Sequence, residues 1–518
     1  MNRRQFLQFN ALGLAAISST YAMDHSKHTM MHNSHTNHHN MSNHTNIDTS
    51  FITLEDINLP LLDSSKFPQN KALKPLPLLK NTSKEKNTFQ ATLSIDEVEL
   101  NIIDEKKTRV YAYNHSIPAP KIEVYEGDFV EIKVQNNLKE PTTIHWHGLP
   151  VPPEQDGNPH DPILAGEERI YSFKLPLNSA GTYWYHPHPH YITGKQVYMG
   201  LAGVFVVKSK NDALSHLKEQ DWVISDIKLD KSAQIPANNL IDWLNGREGN
   251  TLLINGEHKP QITIDKAQRI RIYNFCSARY LNLKIENAEF ILVGTDGGLI
   301  EKPVVLKELF LAPAMRAEVI IKPSKIGDFK LISTYYDRDK MMVQEEKLDT
   351  LLATLDIKNI QQEIPNSLRK LEDLGQPVAF KEVVMSEDHS KMHGIGKKSN
   401  KEIKNALASM FLLNGEIFSM DKAQLTSKLG EVEIWKITNK SHMDHPFHIH
   451  GTQFEVLNST FKGKKTKAPF RALRDTINVR PNETLELKMK QDFKGLRMYH
   501  CHILEHEDLG MMATLKVE

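Results

Sequence analysis

Tyr499-His500-Cys501-His502-Ile503-Leu504-Glu505-His506-Glu507-Asp508-Leu509-Gly510-Met511 is the stretch of sequence that decides how this chain is interpreted. It places three histidines, a cysteine and a methionine within twelve positions. The chain has only two cysteines, so Cys501 is a poor candidate for a structural disulfide. A thiolate with two imidazoles and a long methionine bond is the ligand set of a blue copper electron-transfer site. Cys501, His506 and Met511 would supply three of those ligands, and a second histidine must come from elsewhere.

The histidines on either side of Cys501 extend this hypothesis. On a β-strand successive side chains point to opposite faces, so Cys501 would face one way and His500 and His502 the other. A metal held by the cysteine would then have a short route of covalent bonds to metals held by its neighbours. The alternative, a chance cluster on a C-terminal strand, is disfavoured because these are the ligand types that soft metals select.

Composition limits the class of protein. A chain of 518 residues is long enough for two to four domains. Its formal net charge is zero, so nothing indicates nucleic acid or a strongly charged partner. Apolar and polar residues alternate at 97–103, 129–134 and 431–437, which predicts strands. The block from about 215 to 365 has more strand signals but no metal-ligand spacing. We expect it to be architectural, with Cys276 as a buried apolar thiol.

The N-terminus predicts export. Asn2-Arg3-Arg4-Gln5-Phe6-Leu7 is a twin-arginine pattern, an apolar run follows at 11–17, and Ala22 could mark cleavage. Residues 1–22 are therefore a predicted signal peptide for the twin-arginine export machinery; a basic N-terminus without a targeting role is the alternative. The apolar run is too short to cross a bilayer. We expect no membrane span and a periplasmic location.

Residues 23–50 predict a disordered tail. Between 23 and 46 this stretch has seven histidines and four methionines among small polar residues, and it cannot bury a core. Imidazole and thioether groups both bind copper, and thioethers favour Cu(I). The tail is interpreted as a flexible copper-gathering segment, with a solvated linker as the alternative.

Four His-x-His pairs stand outside the tail. At strand spacing each pair should present both imidazoles on one face. Two pairs lie early in the chain and two near its end, so the two ends should pack together around a polynuclear metal centre. His445, close to the third pair, supplies the missing histidine for the Cys501 site. The four pairs are His145/His147, His186/His188, His448/His450 and His500/His502.

These four motifs, in this order, resemble the signature of the multicopper oxidases, and most of all the bacterial periplasmic cuprous oxidases of copper tolerance. The resemblance extends from about residue 50 to 518. It implies an all-β fold of three cupredoxin-like Greek-key β-sandwich domains, at 51–210, 211–370 and 371–518, the last holding the type 1 copper. We expect the protein to be a monomer with four copper ions.

The resemblance also implies a role for each ligand. It implies that the type 1 copper is bound by His445, Cys501, His506 and Met511. It implies that the type 2 copper is bound by His145 and His448. It implies that the type 3 pair is bound by His147, His186, His188, His450, His500 and His502. His190 is left over and is expected to line the site rather than bind metal. Met511 at the axial position is similar to the lower-potential bacterial members.

Two carboxylates match acids of the family. Asp156 follows His145 by eleven residues, as does the acid near the trinuclear centre of relatives. Glu507, beside His506, matches the second acid of a proton relay. Reducing O2 to two waters consumes four protons, so such groups are needed, and both are candidate catalytic residues alongside Cys501. The alternatives are a plain turn at Asp156 and a solvated surface charge at Glu507.

The site for a substrate copper is less clearly marked. Well-studied cuprous oxidases carry a long methionine-rich helical insert, whereas this chain has only the short segment 385–393 in that place. Ser441 stands where the family has an acid. A mobile surface loop, or plain packing for the methionine before His445, is the alternative. The candidate residues are Met385, His389, Met392, His393 and Met443.

The sequence therefore predicts a multicopper oxidase that takes single electrons from Cu(I) and reduces O2 to water in the periplasm, for copper tolerance. A laccase-type phenol oxidase or a ferroxidase is the rival within the class, and Asp444 and Glu387 would suit a cationic donor. Outside the class stand a copper-sequestering protein and a cupredoxin relative that has lost its metal.

Overall fold

Three pairs of β-sheets follow one another along the chain. The computed structural model describes residues 48–359 and 363–518. The predicted signal peptide at 1–22 and the predicted tail up to residue 47 lie outside the described residues. Within the described part, no helix is both long and apolar enough to cross a membrane.

The first pair of sheets has the strand orders β2-β1-β4-β5 and β3-β7-β6. Its first strand shows why the sequence folds this way, since Phe89, Ala91, Leu93 and Ile95 alternate with more exposed residues and point into the core. Helix α1 (Thr193–Tyr198) precedes the last strand. The strands are β1 (Thr88–Ile103), β2 (Lys106–Tyr113), β3 (Ala119–Tyr125), β4 (Phe129–Asn136), β5 (Glu168–Lys174), β6 (Gly181–Tyr185) and β7 (Gly203–Lys208).

The second pair has the orders β14-β13-β16-β11-β8-β9 and β10-β18-β17-β12-β15. Helix α2 (Leu240–Asn245) begins with a capping box between Asn239 and Asp242. As predicted, Cys276 is buried, in the apolar core of this pair. The strands are β8 (Lys218–Ile227), β9 (Thr251–Ile254), β10 (Gln261–Ile264), β11 (Gln268–Asn274), β12 (Leu281–Ile285), β13 (Ala288–Thr295), β14 (Gly298–Leu306), β15 (Glu308–Leu311), β16 (Arg316–Pro323), β17 (Gly327–Ser333) and β18 (Thr350–Ile357).

The third pair has the orders β20-β19-β22-β27-β24-β25 and β21-β29-β28-β23-β26. Helices α3 (Asn400–Leu407) and α4 (Leu504–Asp508) lie within this part of the chain. The strands are β19 (Ala379–Glu387), β20 (Phe411–Leu413), β21 (Ala423–Ser427), β22 (Val432–Asn439), β23 (His445–Ile449), β24 (Phe454–Phe461), β25 (Lys464–Lys467), β26 (Thr476–Val479), β27 (Thr484–Lys490), β28 (Gly495–Cys501) and β29 (Met512–Val517).

Each pair of sheets encloses an apolar core, so each is a β-sandwich. The all-β prediction is confirmed. The segment before β1 pairs with the second sandwich, where Glu55 bridges Asn239 and Ala72 bridges Gln261, and with the first sandwich at Leu78, which bridges Lys121. This segment therefore fastens the first two sandwiches to each other.

Candidate metal centres

Cys501 ends β28, and two buried imidazoles gather at its thiol. The Nδ1 atom of His445 lies 3.3 Å from Sγ of Cys501. The ring of His506, from α4, lies 5.2 Å from the ring of His445, and its Nε2–H donates to the carbonyl of Leu244 at 3.2 Å. That bond leaves Nδ1 of His506 as the free ligand atom. The N–H of Cys501 donates to the carbonyl of Met511 at 3.0 Å, which holds the methionine beside the cysteine.

Strand register explains why the sequence divides its ligands between two sites. β23 and β28 are antiparallel, with Phe447 opposite Cys501 and His448 opposite His500. Directly opposed residues share a face of the sheet, and successive residues alternate. His445, two before Phe447, therefore shares the face of Cys501, whereas His448 and His500 lie on the other face.

The four His-x-His pairs meet on that other face. The early pairs and the late pairs interleave, since the ring of His145 stacks on His450 at 3.7 Å and that of His147 stacks on His448 at 3.8 Å. All eight rings are buried, at no more than 1% exposure. The centre is thus assembled at the contact between the first and third sandwiches.

Several imidazoles are oriented by a hydrogen bond from one nitrogen, which leaves the other nitrogen facing the interior. The Nδ1–H groups donate to carbonyl oxygens from His186 to Pro187 at 2.9 Å, from His448 to Asp475 at 2.8 Å and from His500 to Cys501 at 3.0 Å. The inward nitrogens approach one another closely. The separations are 3.1 Å for Nε2 of His450 and His500, 3.2 Å for Nε2 of His188 and His500, 3.4 Å for Nε2 of His145 and His448, and 3.4 Å for Nδ1 of His147 and Nε2 of His186.

This arrangement fits bound metal. Burial, together with the neighbouring rings, lowers the pKa of imidazoles such as His147 and His448 well below the usual value, so they are held neutral, the form that binds metal. Inward lone pairs facing each other at such distances repel unless a cation lies between them. Both ring nitrogens of His502 are buried without a hydrogen-bond partner among the described residues, which leaves them free for a metal ion.

Donor atoms within 4.8 Å of one another form several groups, some of which share a residue. One is His445, Cys501 and His506. Two others together contain the six histidines that the resemblance gives to the type 3 pair: His147, His186 and His502 in one, and His188, His450 and His500 in the other. A further group joins His145, His147 and His448. Imidazole and thiolate donors in these sets suit copper.

Comparisons with known proteins point to the same chemistry. Three family models, each described as multicopper oxidase, match residues 94–212, 216–357 and 387–518. This chain belongs to the multicopper oxidase family. The oxidase is therefore an oxidoreductase with copper cofactors that uses O2 and a reducing substrate, and its three sandwiches are cupredoxin-like.

The alignments with similar proteins cover most of the oxidase. The multicopper oxidase Mco of Staphylococcus aureus is 32% identical over 452 residues, covering 85% of this chain and 91% of its own. A laccase of Bacillus subtilis is 26% identical, covering 87% and 97%. The solved structure of a Campylobacter jejuni multicopper oxidase, described as a metallo-oxidase, is 64% identical with a TM-score of 0.89, covering 90% and 99%.

Two buried carboxylates of the oxidase touch the histidine centre. Oδ1 of Asp156 lies 3.0 Å from Nδ1 of His145 and its Oδ2 lies 3.2 Å from Nδ1 of His450. Oε1 and Oε2 of Glu507 lie 3.3 Å from His188 and 3.1 Å from His500. Burial raises the pKa of Asp156, whereas for Glu507 the two neighbouring imidazoles outweigh burial and hold the pKa at about 2. Each acid thus links one early and one late histidine pair, and neither is on the surface.

A third carboxylate of the oxidase lies on the outer side of the Cys501 site. Oε1 of Glu387 is 3.1 Å from Nε2 of His445, and its Oε2 is 2.6 Å from Nδ1 of His442 and 3.2 Å from Nε2 of His389. Glu387 is buried, but the side chains of His442 and His389 are 28% and 46% exposed. This chain of groups leads from solvent to His445. Sequence reasoning missed His442, because it stands outside any His-x-His spacing.

The candidate substrate-copper residues divide by accessibility. Met385 and Met443 are fully buried in the apolar core of the third sandwich. His389 and Met392 lie in a short 3-10 helix after β19, and His393 follows it. Met392 packs partly buried against the same core. His389 therefore sits at the mouth of the site, and the two buried methionines are out of reach of solvent.

His190 lies beside the centre. It is half-buried and stacks on Tyr191 at 3.5 Å. Burial lowers the pKa of its imidazole to about 4.

Proposed function

We propose that this multicopper oxidase is a periplasmic enzyme of copper tolerance, which takes single electrons from Cu(I) and passes them to O2. The proposal includes export through the twin-arginine signal, domain limits at 51–210, 211–370 and 371–518, a monomeric state and four copper ions. The observation that carries it is the convergence of eight buried imidazoles one residue away from a buried cysteine–histidine group.

The proposed ligands follow the two centres. His445, Cys501, His506 and Met511 hold the type 1 copper. His145 and His448 hold the type 2 copper. His147, His186, His188, His450, His500 and His502 hold the type 3 pair. When bound, these copper ions supply the one-electron redox chemistry and the site at which O2 gains four electrons and four protons to form two waters.

Within the chain, Cys501 joins the two centres. It is bonded through the backbone to His500 and His502, and the Nδ1–H of His500 donates to its carbonyl at 3.0 Å. Electrons given up at the cysteine side thus have a covalent route to the histidine side. Asp156 and Glu507 each contact two imidazoles of the centre, and we assign them to the proton relay there.

On the donor side, Glu387 supports a cationic electron donor. Its carboxylate lies between His445 and the partly exposed imidazoles of His389 and His442. Imidazole and carboxylate groups at the surface can bind a copper ion, and Glu387 then connects that ion to the proposed type 1 ligand. The Campylobacter relative, which is described as a metallo-oxidase, favours the same class of donor. A laccase-type oxidation of phenols is the second candidate, favoured by the similarity to the Bacillus laccase.

The test compares donors in the copper-loaded, full-length protein while O2 uptake is recorded. Cu(I) should drive uptake faster than Fe(II) or a phenol. The double variant H389Q/H442Q should raise the KM for Cu(I) by about tenfold, which corresponds to about 1.4 kcal/mol of binding free energy, and leave phenol oxidation unchanged. His115→Gln, which removes an imidazole with a 68% exposed side chain on the first sandwich, is the control and should change neither.

Two outcomes would contradict the proposal. Uptake with a phenol but not with Cu(I) would replace the cuprous assignment with a laccase. A protein that binds copper and consumes no O2 with any donor would make it a copper-sequestering protein.

A further inference from the structure

Asp475 is a buried residue that touches all three sandwiches at the histidine centre. It directly precedes β26 and is fully inaccessible to solvent. Its Oδ1 accepts from Nε2–H of His147 at 3.1 Å, in the first sandwich. Its backbone carbonyl accepts from Nδ1–H of His448 at 2.8 Å, in the third. Both bonds fix a ring nitrogen that points away from the centre, so they determine which nitrogen points inward.

The second sandwich contributes the partner of this carboxylate. Arg316, the first residue of β16, makes a two-pronged ion pair with Asp475, at 2.7 Å from Nη1 to Oδ1 and 2.6 Å from Nη2 to Oδ2. Its Nε–H also donates to the carbonyl of Thr182 in the first sandwich at 2.8 Å. The Arg316 and Asp475 side chains are both fully buried. A planar guanidinium held at both ends leaves the carboxylate little freedom to rotate.

The hydroxyl of Thr476 adds a second link between Asp475 and the rings of His147 and His448. Its hydroxyl donates to Oδ1 of Asp475 at 2.9 Å and lies 3.1 Å from Nε2 of His147 and 3.2 Å from Nδ1 of His448. Because the hydroxyl proton goes to the carboxylate, its oxygen is left to accept from the rings. The carboxylate therefore accepts directly from His147 and orients the Thr476 hydroxyl beside both rings, while the shorter bond of His448 is to the backbone carbonyl of Asp475.

We propose that Arg316 and Asp475 are the positioning pair of the trinuclear site: Arg316, from the sandwich without ligands of its own, locks Asp475, whose carboxylate holds His147 and whose backbone carbonyl holds His448 in their metal-binding tautomers. The second sandwich then does more than keep its neighbours in register. This inference rests on the proposed ligand assignment of His147 and His448.

The pair could instead serve only to hold the sandwiches together. The two roles differ in what they predict, because a structural ion pair supports both metal centres equally, whereas the positioning pair acts on the histidine centre and leaves the Cys501 site alone. Removing one charge would leave the other buried and unpaired, so the variants must change both residues.

The test titrates copper into the full-length protein against a chelator. Filling of the Cys501 site is followed by its blue absorption, and filling of the histidine centre by copper analysis and electron paramagnetic resonance. R316M/D475L removes the charges and the acceptor for His147. It should need about 10–100 times more free copper to fill the histidine centre and should show an altered type 2 spectrum, with unchanged filling of the Cys501 site. R316Q/D475N keeps an amide oxygen as acceptor and should recover most of the affinity.

Two further variants serve as an alternative substitution and as a control. T476V removes only the hydroxyl and keeps the ion pair, so it remains informative if the apolar pair fails to fold; it should weaken filling of the histidine centre by a smaller factor. R279Q/D226N removes another ion pair of the second sandwich, between the half-buried Arg279 and the buried Asp226 at 2.9 Å, and should leave both titrations unchanged.

The positioning role is overturned if R316M/D475L fills the histidine centre at wild-type copper with a wild-type spectrum. It is also overturned if both centres weaken together in R316M/D475L, R316Q/D475N and R279Q/D226N in step with their melting temperatures. A wild-type protein that holds copper only at Cys501 would overturn the proposed ligand set first, and this inference with it.

Discussion

At the scale of single residues, the environment of Cys501 is suited to binding a metal ion. Burial raises the pKa of its thiol, so in the absence of a cation it would stay protonated and inert. A metal ion between it, His445 and His506 reverses this, because it stabilises the thiolate. Cys276 is also buried, and its sulfur lies 3.9 Å from the carbonyl oxygen of Ile224. The two cysteines of the chain therefore form a natural comparison.

Replacing Cys501 by serine should abolish the blue absorption and reduce O2 uptake with every donor by at least about a thousandfold, because the electron route between the two centres starts at this sulfur. Copper bound at the histidine centre should remain. Cys276→Ser is the matched control, and it should keep both colour and activity. A blue and active C501S protein would refute the assignment of the ligand.

Gly148 shows how tightly the histidine centre is packed. It has φ +84°, and a Cβ there would lie 2.0 Å from Oδ2 of Asp475 and 3.1 Å from Nη2 of Arg316. Gly148→Ala should therefore lower the free energy of unfolding by about 2 kcal/mol or more. Gly415 has φ +79° and open space around it, so Gly415→Ala measures the backbone cost alone, about 1 kcal/mol. If thermal unfolding shows the same decrease in the free energy of unfolding for both variants, the side chains around Gly148 move aside for the extra methyl group.

At the scale of secondary-structure elements, strand pairing distributes the chemistry. β23 and β28 place one centre on each face of a sheet, and α4 returns His506 to the cysteine face. In the second sandwich, the parallel pairing of β8 with β11 places Glu219 opposite Arg269, and Glu219 makes ion pairs with Arg271 at 2.7 Å and with Arg269 at 3.4 Å. The side chain of Glu219 is 22% exposed.

This acid gives the second sandwich a pH dependence. Burial raises the pKa of Glu219, but the two arginines outweigh it and hold the pKa at about 2. A depressed carboxyl pKa adds stability above the unfolded-state value of about 4.3, and this stability is lost as the pH falls towards 2.

In Glu219→Gln the loss of stability between pH 4.5 and pH 2 should be smaller by about 2–3 kcal/mol, with both proteins free of copper and compared by denaturant unfolding. Glu99→Gln, at an acid with a 58% exposed side chain on β1, should retain the wild-type slope. An unchanged slope in E219Q would show that the arginines do not hold this acid ionised.

At the scale of the whole molecule, the histidine centre is the joint between the first and third sandwiches. Its rings interleave across that contact. Its inward nitrogens lie so close together that their lone pairs repel unless a cation lies between them. Copper should therefore be part of the stability of the folded chain as well as of its chemistry.

Removing copper with a chelator should lower the melting temperature, and adding it back should restore it. A metal that binds only the folded state adds about 4 kcal/mol per site when its free concentration is a thousand times its dissociation constant. Calorimetry of the same sample with and without chelator measures this effect. Identical melting temperatures would mean that the joint is held by apolar contacts alone.

The sequence by itself determined the fold class, and together with the family resemblance it predicted the ligands. A period of two fixes which residues share a strand face, so each His-x-His pair and the alternation around Cys501 could be interpreted locally. The tertiary structure alone decided which distant groups hold those ligands. Asp475 meets Arg316 across 159 positions, and Glu387 meets His445 across 58, and no spacing rule connects them. It also decided that Met385 and Met443 are buried and His389 and His442 partly exposed. Local periodicity specifies the face of a strand, but only the packing of whole sandwiches specifies what lies against that face.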